Sequence, residues 1–314
     1  MIVLLLLTVF AVGAALFVGL RREIRAAATA RSTGPTQPPL ADHEHLLRIA
    51  AYYPVDPRHR YGHGLPPAPR IKAALDAGLP RYRATLESFR PLIPELREVP
   101  RDPQPAHPEE PAWVNDFLAG LDAIALYGMV ATRKPPLLFE IGSGNSTKFA
   151  ARARQRHSPQ TRIVSLDPNP RVEIDALCDR IIRQPLESAD LAVFRDLTAA
   201  DILFFDGSHR ILQNSDVAVF FLEVLPELPS GITLHIHDVF WPSDYPPDWA
   251  TRYYSEQYMA ALLLLFAEQH FEVLLPSYYL WSCTELLTLF DPIWTAPHLA
   301  GIERHGSSLW LRKR

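Results

Sequence analysis

The stretch that decides the fold is LLFEIGSGNS, residues 137–146. A run of strand length leads directly into two glycines and then into residues with helical spacing. Gly142 and Gly144 allow a tight turn and a close approach of a ligand, and the following helix offers free N–H groups to that ligand. Asp167 ends the next predicted strand, where a carboxylate can bind both hydroxyls of a ribose. The pattern therefore predicts a nucleoside site. The alternative is a plain turn in which Asp167 only caps a loop.

Runs of strand length recur along the chain and alternate with helical stretches such as Thr147–Arg156 and Asp216–Leu225. Because near-continuous apolar strands separated by helices are typical of parallel sheets covered on both faces, we expect an α/β fold with a doubly wound, mainly parallel sheet. The predicted strands are Leu137–Ile141, Arg162–Asp167, Arg180–Arg183, Asp201–Asp206, Ile232–His237, Phe271–Leu275 and Ser307–Arg312.

Residues 140–146, EIGSGNS, resemble the first motif of the class I S-adenosylmethionine-dependent methyltransferases. That motif is an acid followed by glycines at alternate positions, and Ser146 stands here in place of the last glycine. The resemblance runs from about Trp113 to Arg314. It implies a seven-stranded Rossmann-like sheet whose last two strands form an antiparallel hairpin.

The resemblance also implies a set of cofactor-binding residues. Glu140 is expected near the methionine amine of S-adenosylmethionine, and Asp167 at its ribose. The expected cofactor-binding residues are Glu140, Gly142, Ser143, Gly144, Ser146, Asp167 and Asp206.

A second group of polar residues lies at the ends of the fourth and fifth predicted strands: Asp206 and His209 at one, His235, His237 and Asp238 at the other. Side chains at the carboxyl ends of adjacent parallel strands converge on one crevice. Methyl transfer needs alignment and removal of a proton from the acceptor, a step that suits an imidazole. We expect His209, His237 and Asp238 to be catalytic, with His209 as first choice for the base and His237 as second.

The same residues are similar to those of metal-dependent O-methyltransferases, in which acids ligate magnesium. Here His237 stands where a carboxylate is expected, and magnesium prefers oxygen ligands. Asp206, His237 and Asp238 are therefore candidates for a softer divalent ion, or for no ion. A plainer interpretation is that the two aspartates cap strand ends and that His235 is a hydrogen-bonded core residue.

Seven aromatic side chains lie between Phe240 and Tyr258, directly after the fifth strand. Such a segment can form a lid over the crevice, since aromatic faces suit sugar rings, aryl groups and lipid-linked substrates. It can equally be a surface loop that packs on the sheet. Glu256 and Gln257 belong to the pocket only in the first case.

The beginning of the chain has a different composition. Ile2–Leu20 carries no charge and Arg21, Arg22 and Arg25 follow. This pattern predicts a transmembrane anchor at residues 1–22 with the catalytic domain in the cytoplasm, in preference to a cleaved signal peptide. A proline-rich neck with short helices is expected at 23–110 and a methyltransferase domain at 111–314, opening with a helix at Pro111 that buries Trp113 and Phe117.

Composition narrows the function further. The net charge of -4 and the lack of a basic stripe argue against nucleic acid as a partner. We expect S-adenosylmethionine-dependent O-methylation of a sugar, a glycolipid or another small hydroxyl acceptor. The alternatives are an inactive membrane-tethered nucleoside-binding module and an NAD(P)-dependent oxidoreductase; the latter usually opens the chain with its glycine turn, whereas here a helix precedes it.

Overall fold

The computed structural model describes residues 58–282 and 284–314. The predicted anchor at residues 1–22 and the first part of the predicted neck lie outside the described residues. Within the described ranges, no helix has both the length and the apolar character that a membrane span needs.

A seven-stranded sheet forms the centre of the described chain, in the order β3-β2-β1-β4-β5-β7-β6. Strands β1 to β5 are parallel, and β7 runs antiparallel to both β5 and β6. The predicted α/β sheet and its closing hairpin are therefore confirmed. The strands are β1 Leu137–Ile141, β2 Arg162–Leu166, β3 Arg180–Ile182, β4 Ile202–Phe205, β5 Thr233–Ile236, β6 Phe271–Pro276 and β7 Leu309–Lys313.

The central strands are buried throughout, as strands covered on both faces must be. Phe205 of β4 stacks on Phe220, with ring centroids 3.9 Å apart. Phe204, the preceding residue, stacks in the same way on His235 of β5 at 3.7 Å. Because β1, β2, β4 and β5 are parallel neighbours, their carboxyl ends bring the predicted site residues to one edge of the sheet.

Helices surround the sheet and connect its strands. The α-helices are α1 Pro69–Asp76, α2 Leu79–Phe89, α3 Ile93–Leu96, α4 Gly120–Arg133, α5 Asn145–His157, α6 Asp216–Val219, α7 Leu225–Glu227, α8 Glu256–Phe266, α9 Ser277–Trp281, α10 Thr284–Leu287 and α11 Asp291–Trp294. A π-helical turn, Phe220–Val224, joins α6 to α7. Short 3-10 turns are Arg90–Leu92, Asp175–Leu177, Leu186–Ser188, Leu191–Phe194, Pro247–Arg252, Thr288–Phe290 and Pro297–Leu299.

Only residues 58–110 of the predicted neck are described, and there the helices α1 to α3 pack against the rest of the described chain. Tyr82 and Phe89 of α2 are fully buried in the same apolar core as the sheet. The prolines do not break these helices, because Pro80, Pro91 and Pro94 each occupy a first turn, where the missing N–H costs nothing. The sequence predicts the short helices but not their packing.

Phe89 gives a test of this packing. Its ring lies where a Cβ on Gly128 of α4 would be, 2.5 Å away, so the two helices are in direct contact. We expect Phe89→Ala to lower the free energy of unfolding by about 3–5 kcal/mol, since the ring leaves a cavity. Arg83→Ala, on the exposed face of α2, is the control and should cost under about 1 kcal/mol. Urea denaturation of both variants measures the difference, and equal midpoints would mean that α2 is not part of the core.

The helix predicted to begin at Pro111 begins instead at Gly120. Trp113 is buried as expected, but Phe117 is exposed. The cause is Asn115, whose side-chain oxygen accepts the backbone N–H of Leu118 at 2.8 Å while its amide donates to the carbonyl of Ala112 at 2.9 Å. Such side-chain bonds to the backbone compete with a helical turn and hold the segment as a loop.

Candidate active site

The glycine turn after β1 is built as the sequence predicts. Gly142 has a φ of +77°, and a Cβ there would lie 1.9 Å from the backbone oxygen of Asp206. Only glycine fits this position. The backbone of Gly144 is extended, and its N–H donates to Oγ1 of Thr147 at 3.1 Å, which starts α5. The tips of β1 and β4 are therefore in backbone contact at the turn.

Glu140 lies in β1 just before this turn and is fully buried. Its Oε2 accepts a hydrogen bond from Oγ1 of Thr147 at 2.6 Å, whereas Oε1 has no partner among the described residues. Burial raises the pKa of Glu140 to about 7, and the hydrogen bonds from Thr147 and Ser146 only partly offset it. A buried carboxylate with one free oxygen suits a cationic group such as an amine.

The raised pKa of Glu140 makes stability depend on pH in the cofactor-free protein. Its carboxyl has a pKa near 4.5 unfolded and about 7 folded, so the folded protein holds an extra proton between these values. The contribution to stability is full below about pH 4.5 and is lost as the pH rises through 7. Glu140→Gln should therefore gain stability relative to the native protein between pH 5 and 8, by roughly 3 kcal/mol at the upper end. Thermal unfolding across this range measures the gain; a constant difference would contradict it.

Asp167 lies at the end of β2 and faces the crevice. Its Oδ2 accepts the N–H of Ser143 at 2.8 Å, and its Oδ1 accepts the N–H of Asn169 at 2.8 Å. Together with Gly142 and Asp206, it lines a cavity of about 410 Å³. The cavity is also lined by Ile141, Ser143, Leu166, Pro168, Asn169, Arg171, Pro185, Leu186, Glu187, Gly207, Ser208, Ser215 and Asp216. The prediction places Glu140, Gly144 and Ser146 at this cofactor site too. None of the three lines the cavity: Glu140 is fully buried in β1, and Ser146 is buried in the first turn of α5.

His209 lies at the centre of an ionised cluster beside this cavity. Its Nε2 lies 3.2 Å from Oδ1 of Asp206 and 3.3 Å from Oδ2 of Asp238. Its Nδ1 lies 2.9 Å from Oε2 of Glu256. The ring is nearly buried, so three carboxylates face one imidazole with little water between them.

His237 occupies the equivalent place after β5. Its Nδ1 lies 3.5 Å from Oδ1 of Asp206 and 3.5 Å from Oδ1 of Asp238. Its Nε2 lies 3.7 Å from Oδ2 of Asp122, which belongs to α4. The two histidines therefore share Asp206 and Asp238, and the predicted convergence of the strand ends is present in the structure.

The charges in this cluster change the roles that the sequence suggests. Burial alone would lower the pKa of His209, but Asp238, Asp206 and Glu256 raise it well above the usual value. The pKa of His237 is raised in the same way by Asp206, Asp238 and Asp122. The surrounding carboxylates therefore favour the protonated form of both rings. A protonated imidazole has no lone pair to accept a proton, so these contacts weigh against His209 or His237 as the base, and that role stays a prediction.

The remaining residues of this region have structural partners. His235 is buried, stacks on Phe204 and lies 2.8 Å from Oγ of Ser308 through its Nε2, which agrees with its interpretation as a core residue. Among residues 58–314, Cys283 excepted, no group of three or more His, Cys, Asp or Glu side chains is arranged to hold a metal ion. Of the predicted metal ligands, Asp206 and Asp238 each contact both His237 and His209.

The aromatic segment between Phe240 and Tyr258 packs largely on itself. Phe240 and Tyr245 are buried, and Nε1 of Trp241 donates to the carbonyl of Gln257 at 2.5 Å. One member reaches the cluster: the ring of Tyr254 lies 4.8 Å from that of His209. The segment therefore forms a packed wall beside the site.

A comparison with models of known protein families agrees with the resemblance to methyltransferases. Residues 139–239, from β1 to just past Asp238, match the family model described as "Methyltransferase domain". This part of the chain, which holds β1, β2, β4, β5 and the polar residues that follow them, is therefore similar to a methyltransferase domain. Among solved structures, one match is described as the crystal structure of coclaurine N-methyltransferase bound to N-methylheliamine and SAH, with 12% identity, 79% of this chain and 94% of that chain covered, and a TM-score of 0.31. No curated protein sequence matches.

Two members of the site escape prediction from the sequence. Asp122 is not among the expected site residues, although it is the one acid in the apolar run GLDAIALYGMV of α4. A lone carboxylate on a buried helix is costly unless it is paired, and this is the available signal. Glu256 is predicted only as a conditional pocket residue, and it is fully buried against His209.

Proposed function

We propose that this methyltransferase domain transfers the methyl group of S-adenosylmethionine to a hydroxyl oxygen of a small acceptor. The observation that carries the proposal is the position of Asp206. Its carboxylate lines the cavity of the glycine turn and also contacts both His209 and His237. The expected cofactor site and the ionised cluster therefore meet at one side chain.

The residues at the turn fit the cofactor. Asp167 faces the cavity where a ribose would bind, and Glu140, one residue before the cavity-lining Ile141, has a buried oxygen without a partner among the described residues that suits the amine of the methionine moiety. Gly142 leaves the space that any side chain would fill. When bound, S-adenosylmethionine supplies an electrophilic methyl group, and the protein has to align the acceptor and take up its proton.

Asp206 is the residue that we assign to the proton. Although burial would raise its pKa, His237 and His209 hold it well below the usual value. A weak base is sufficient here, because the hydroxyl oxygen becomes strongly acidic as it forms its bond to the methyl carbon. The proton passes to the carboxylate of Asp206 and from there to water, since this side chain is partly exposed. The two imidazolium ions keep the carboxylates of Asp206 and Asp238 in place.

The acceptor that we propose is a sugar, a glycolipid or another amphiphilic molecule with a hydroxyl group. Support comes from the aromatic wall, in which Trp249 and Tyr254 lie with ring centroids 5.7 Å apart and Tyr254 also contacts His209. Aromatic faces of this kind bind sugar rings well. The anchor predicted at residues 1–22 would hold the protein at a membrane, close to an amphiphilic acceptor located there. Anchoring and a cytoplasmic catalytic domain stay predictions from the sequence.

The first test is calorimetric titration of the full-length protein in detergent with S-adenosylmethionine. We expect binding with a Kd in the micromolar range, about -8 kcal/mol at 1 μM. An absence of heat at high cofactor concentration would overturn the proposal.

The second test uses cofactor with an isotopically labelled methyl group and a panel of hydroxylated sugars and glycolipids. Amino analogues of the same acceptors are the matched controls. Label on the hydroxyl oxygen supports the proposal, and label only on nitrogen contradicts it. Tight cofactor binding without transfer to any acceptor would instead favour an inactive nucleoside-binding module.

A further inference from the structure

Glu256 is tied to His209 through both side chain and backbone. It is the first residue of α8, and its Oε2 lies 2.9 Å from Nδ1 of His209. The backbone N–H groups of Ser255 and Glu256 both donate to the carbonyl of His209, at 2.7 and 3.1 Å. His209 itself has a φ of +60°, a conformation that needs support from its neighbours. The start of α8 therefore fixes both the backbone and the ring of this histidine.

Asp122 stands behind His237 in a comparable way. It is fully buried in the first turn of α4. Its Oδ2 accepts the N–H of Ser307 at 2.6 Å and its Oδ1 accepts the N–H of Ser308 at 3.0 Å, so the carboxylate is held rigidly by the segment before β7. The same Oδ2 lies 3.7 Å from Nε2 of His237, so a negative charge lies opposite this nitrogen.

Each ring thus has one nitrogen near the shared aspartates, while the other faces a carboxylate that the two rings do not share. Glu256 is within hydrogen-bond distance of Nδ1 of His209, whereas Asp122 lies 3.7 Å from Nε2 of His237, at ion-pair distance. For His209 the facing groups are Asp206, Asp238, Glu256 and the ring of Tyr254. For His237 they are Asp206, Asp238, Asp122 and the ring of His235. An imidazole ring bonded on one side only can turn about its χ2 angle, whereas carboxylates on both sides fix its plane.

We infer that Glu256 and Asp122 are positioning residues, which hold the rings of His209 and His237 so that these in turn hold Asp206 and Asp238 toward the acceptor. This inference rests on the proposed function, since it assigns the two residues to that same step. It makes the transfer step depend on α8 and α4, two helices outside the strand ends where the other site residues lie. Neither residue is expected to touch the acceptor or the cofactor.

Kinetics of the full-length protein test this role. Glu256→Ala should lower kcat by about 10-fold to 100-fold, the usual effect of removing the carboxylate that orients a functional histidine. The KM and Kd for S-adenosylmethionine should stay within about twofold of the native values, because Glu256 lies outside the cofactor cavity. Glu256→Gln keeps an oxygen that can accept from Nδ1 and should recover part of the rate. Glu268→Gln, an exposed acid just beyond α8, is the control and should leave the rate unchanged.

A merely structural role gives a different result. Glu256→Ala and Glu256→Gln would then lose folded protein to a similar degree, while kcat per folded molecule stayed native. That outcome would overturn the inference, as would a loss of cofactor affinity equal to the loss in kcat.

A spectroscopic measurement tests the positioning role of Glu256 and Asp122 in the absence of an acceptor. In protein with ¹⁵N-labelled histidine, we expect slowly exchanging downfield imidazole N–H signals from His209 and His237, assigned by their loss in His209→Gln and His237→Gln. Glu256→Ala should remove the Nδ1–H signal of His209 and spare the signals of His237. Asp122→Asn should remove the Nε2–H signal of His237 and spare those of His209. Signals that persist in both variants would contradict the inference. If these signals change as expected but the native protein methylates no acceptor, the proposed function fails while the positioning of the rings stands.

Discussion

Asp206→Asn is expected to lower kcat by about 100-fold to 10,000-fold, the range associated with loss of a residue that takes part in proton transfer. Asparagine keeps the shape of the side chain but cannot take the proton, and it removes a negative charge from beside both His209 and His237. Rapid-quench measurement of a single turnover with labelled cofactor isolates this step from product release.

Glu223→Gln is a suitable control for Asp206→Asn. Glu223 is exposed and lies outside the cavity, and we expect a change in rate of less than about threefold for a surface charge of this kind. If the single-turnover rate of Asp206→Asn also stays within about threefold of the native rate, the proton leaves by another route and Asp206 does not have the role that we assign to it.

Gly142→Val is expected to abolish cofactor binding and to lower the free energy of unfolding by about 3–5 kcal/mol. Two costs combine: the backbone φ of +77°, which a β-branched residue tolerates poorly, and the overlap of the new Cβ with the backbone oxygen of Asp206, 1.9 Å away. A backbone atom at the end of β4 cannot move aside as a flexible side chain can. Calorimetry with S-adenosylmethionine and chemical denaturation of the same sample measure the two effects.

Gly301→Val provides a matched control. Gly301 has nearly the same φ, +79°, and a Cβ added there would meet no described atom within 4 Å. Substitution there should therefore carry the backbone cost alone, about 1–3 kcal/mol, and should leave cofactor affinity intact. Equal losses of affinity in the two variants would show that Gly142 acts only through overall stability.

The sheet can be predicted closely from the sequence. All seven predicted strands occur, within two residues of the expected bounds at either end. The reason is local: each strand is a short, nearly continuous apolar run, and the turn at Gly142 and Gly144 separates β1 from α5 without ambiguity. The doubly wound, mainly parallel arrangement follows from the rules for crossovers, because strands that alternate with helices leave few topologies open.

The region before β1 cannot be predicted in the same way. Proline density between Pro35 and Pro111 favours an open neck, yet prolines in first turns, as in α2 and α3, are compatible with packed helices. Likewise, the spacing of Trp113 and Phe117 satisfies a helix, but the side chain of Asn115 binds the local backbone instead. Propensity and periodicity do not report such tertiary or local competition.

For the site, the sequence indicates position but not charge. The strand ends identify Asp206, His209, His237 and Asp238 as neighbours, since they follow adjacent parallel strands. They do not reveal that four carboxylates surround two imidazoles, because Asp122 and Glu256 come from helices distant along the chain. The protonation state of each histidine depends on all of these carboxylates, so the choice of a histidine as base cannot be made from the sequence alone.

The contacts of residues 59–68 bear on how a shortened protein should be prepared. Asp244 accepts the N–H groups of Arg60 and Tyr61, at 2.6 and 2.9 Å, and the N–H of Ala68 donates to the carbonyl of Pro242. Cutting the gene at Trp113, where the family resemblance begins, would strip away these bonds together with the buried faces of α1 and α2. A shortened protein for crystallisation should therefore begin no later than Arg58. A later start would expose the core and favour insoluble protein.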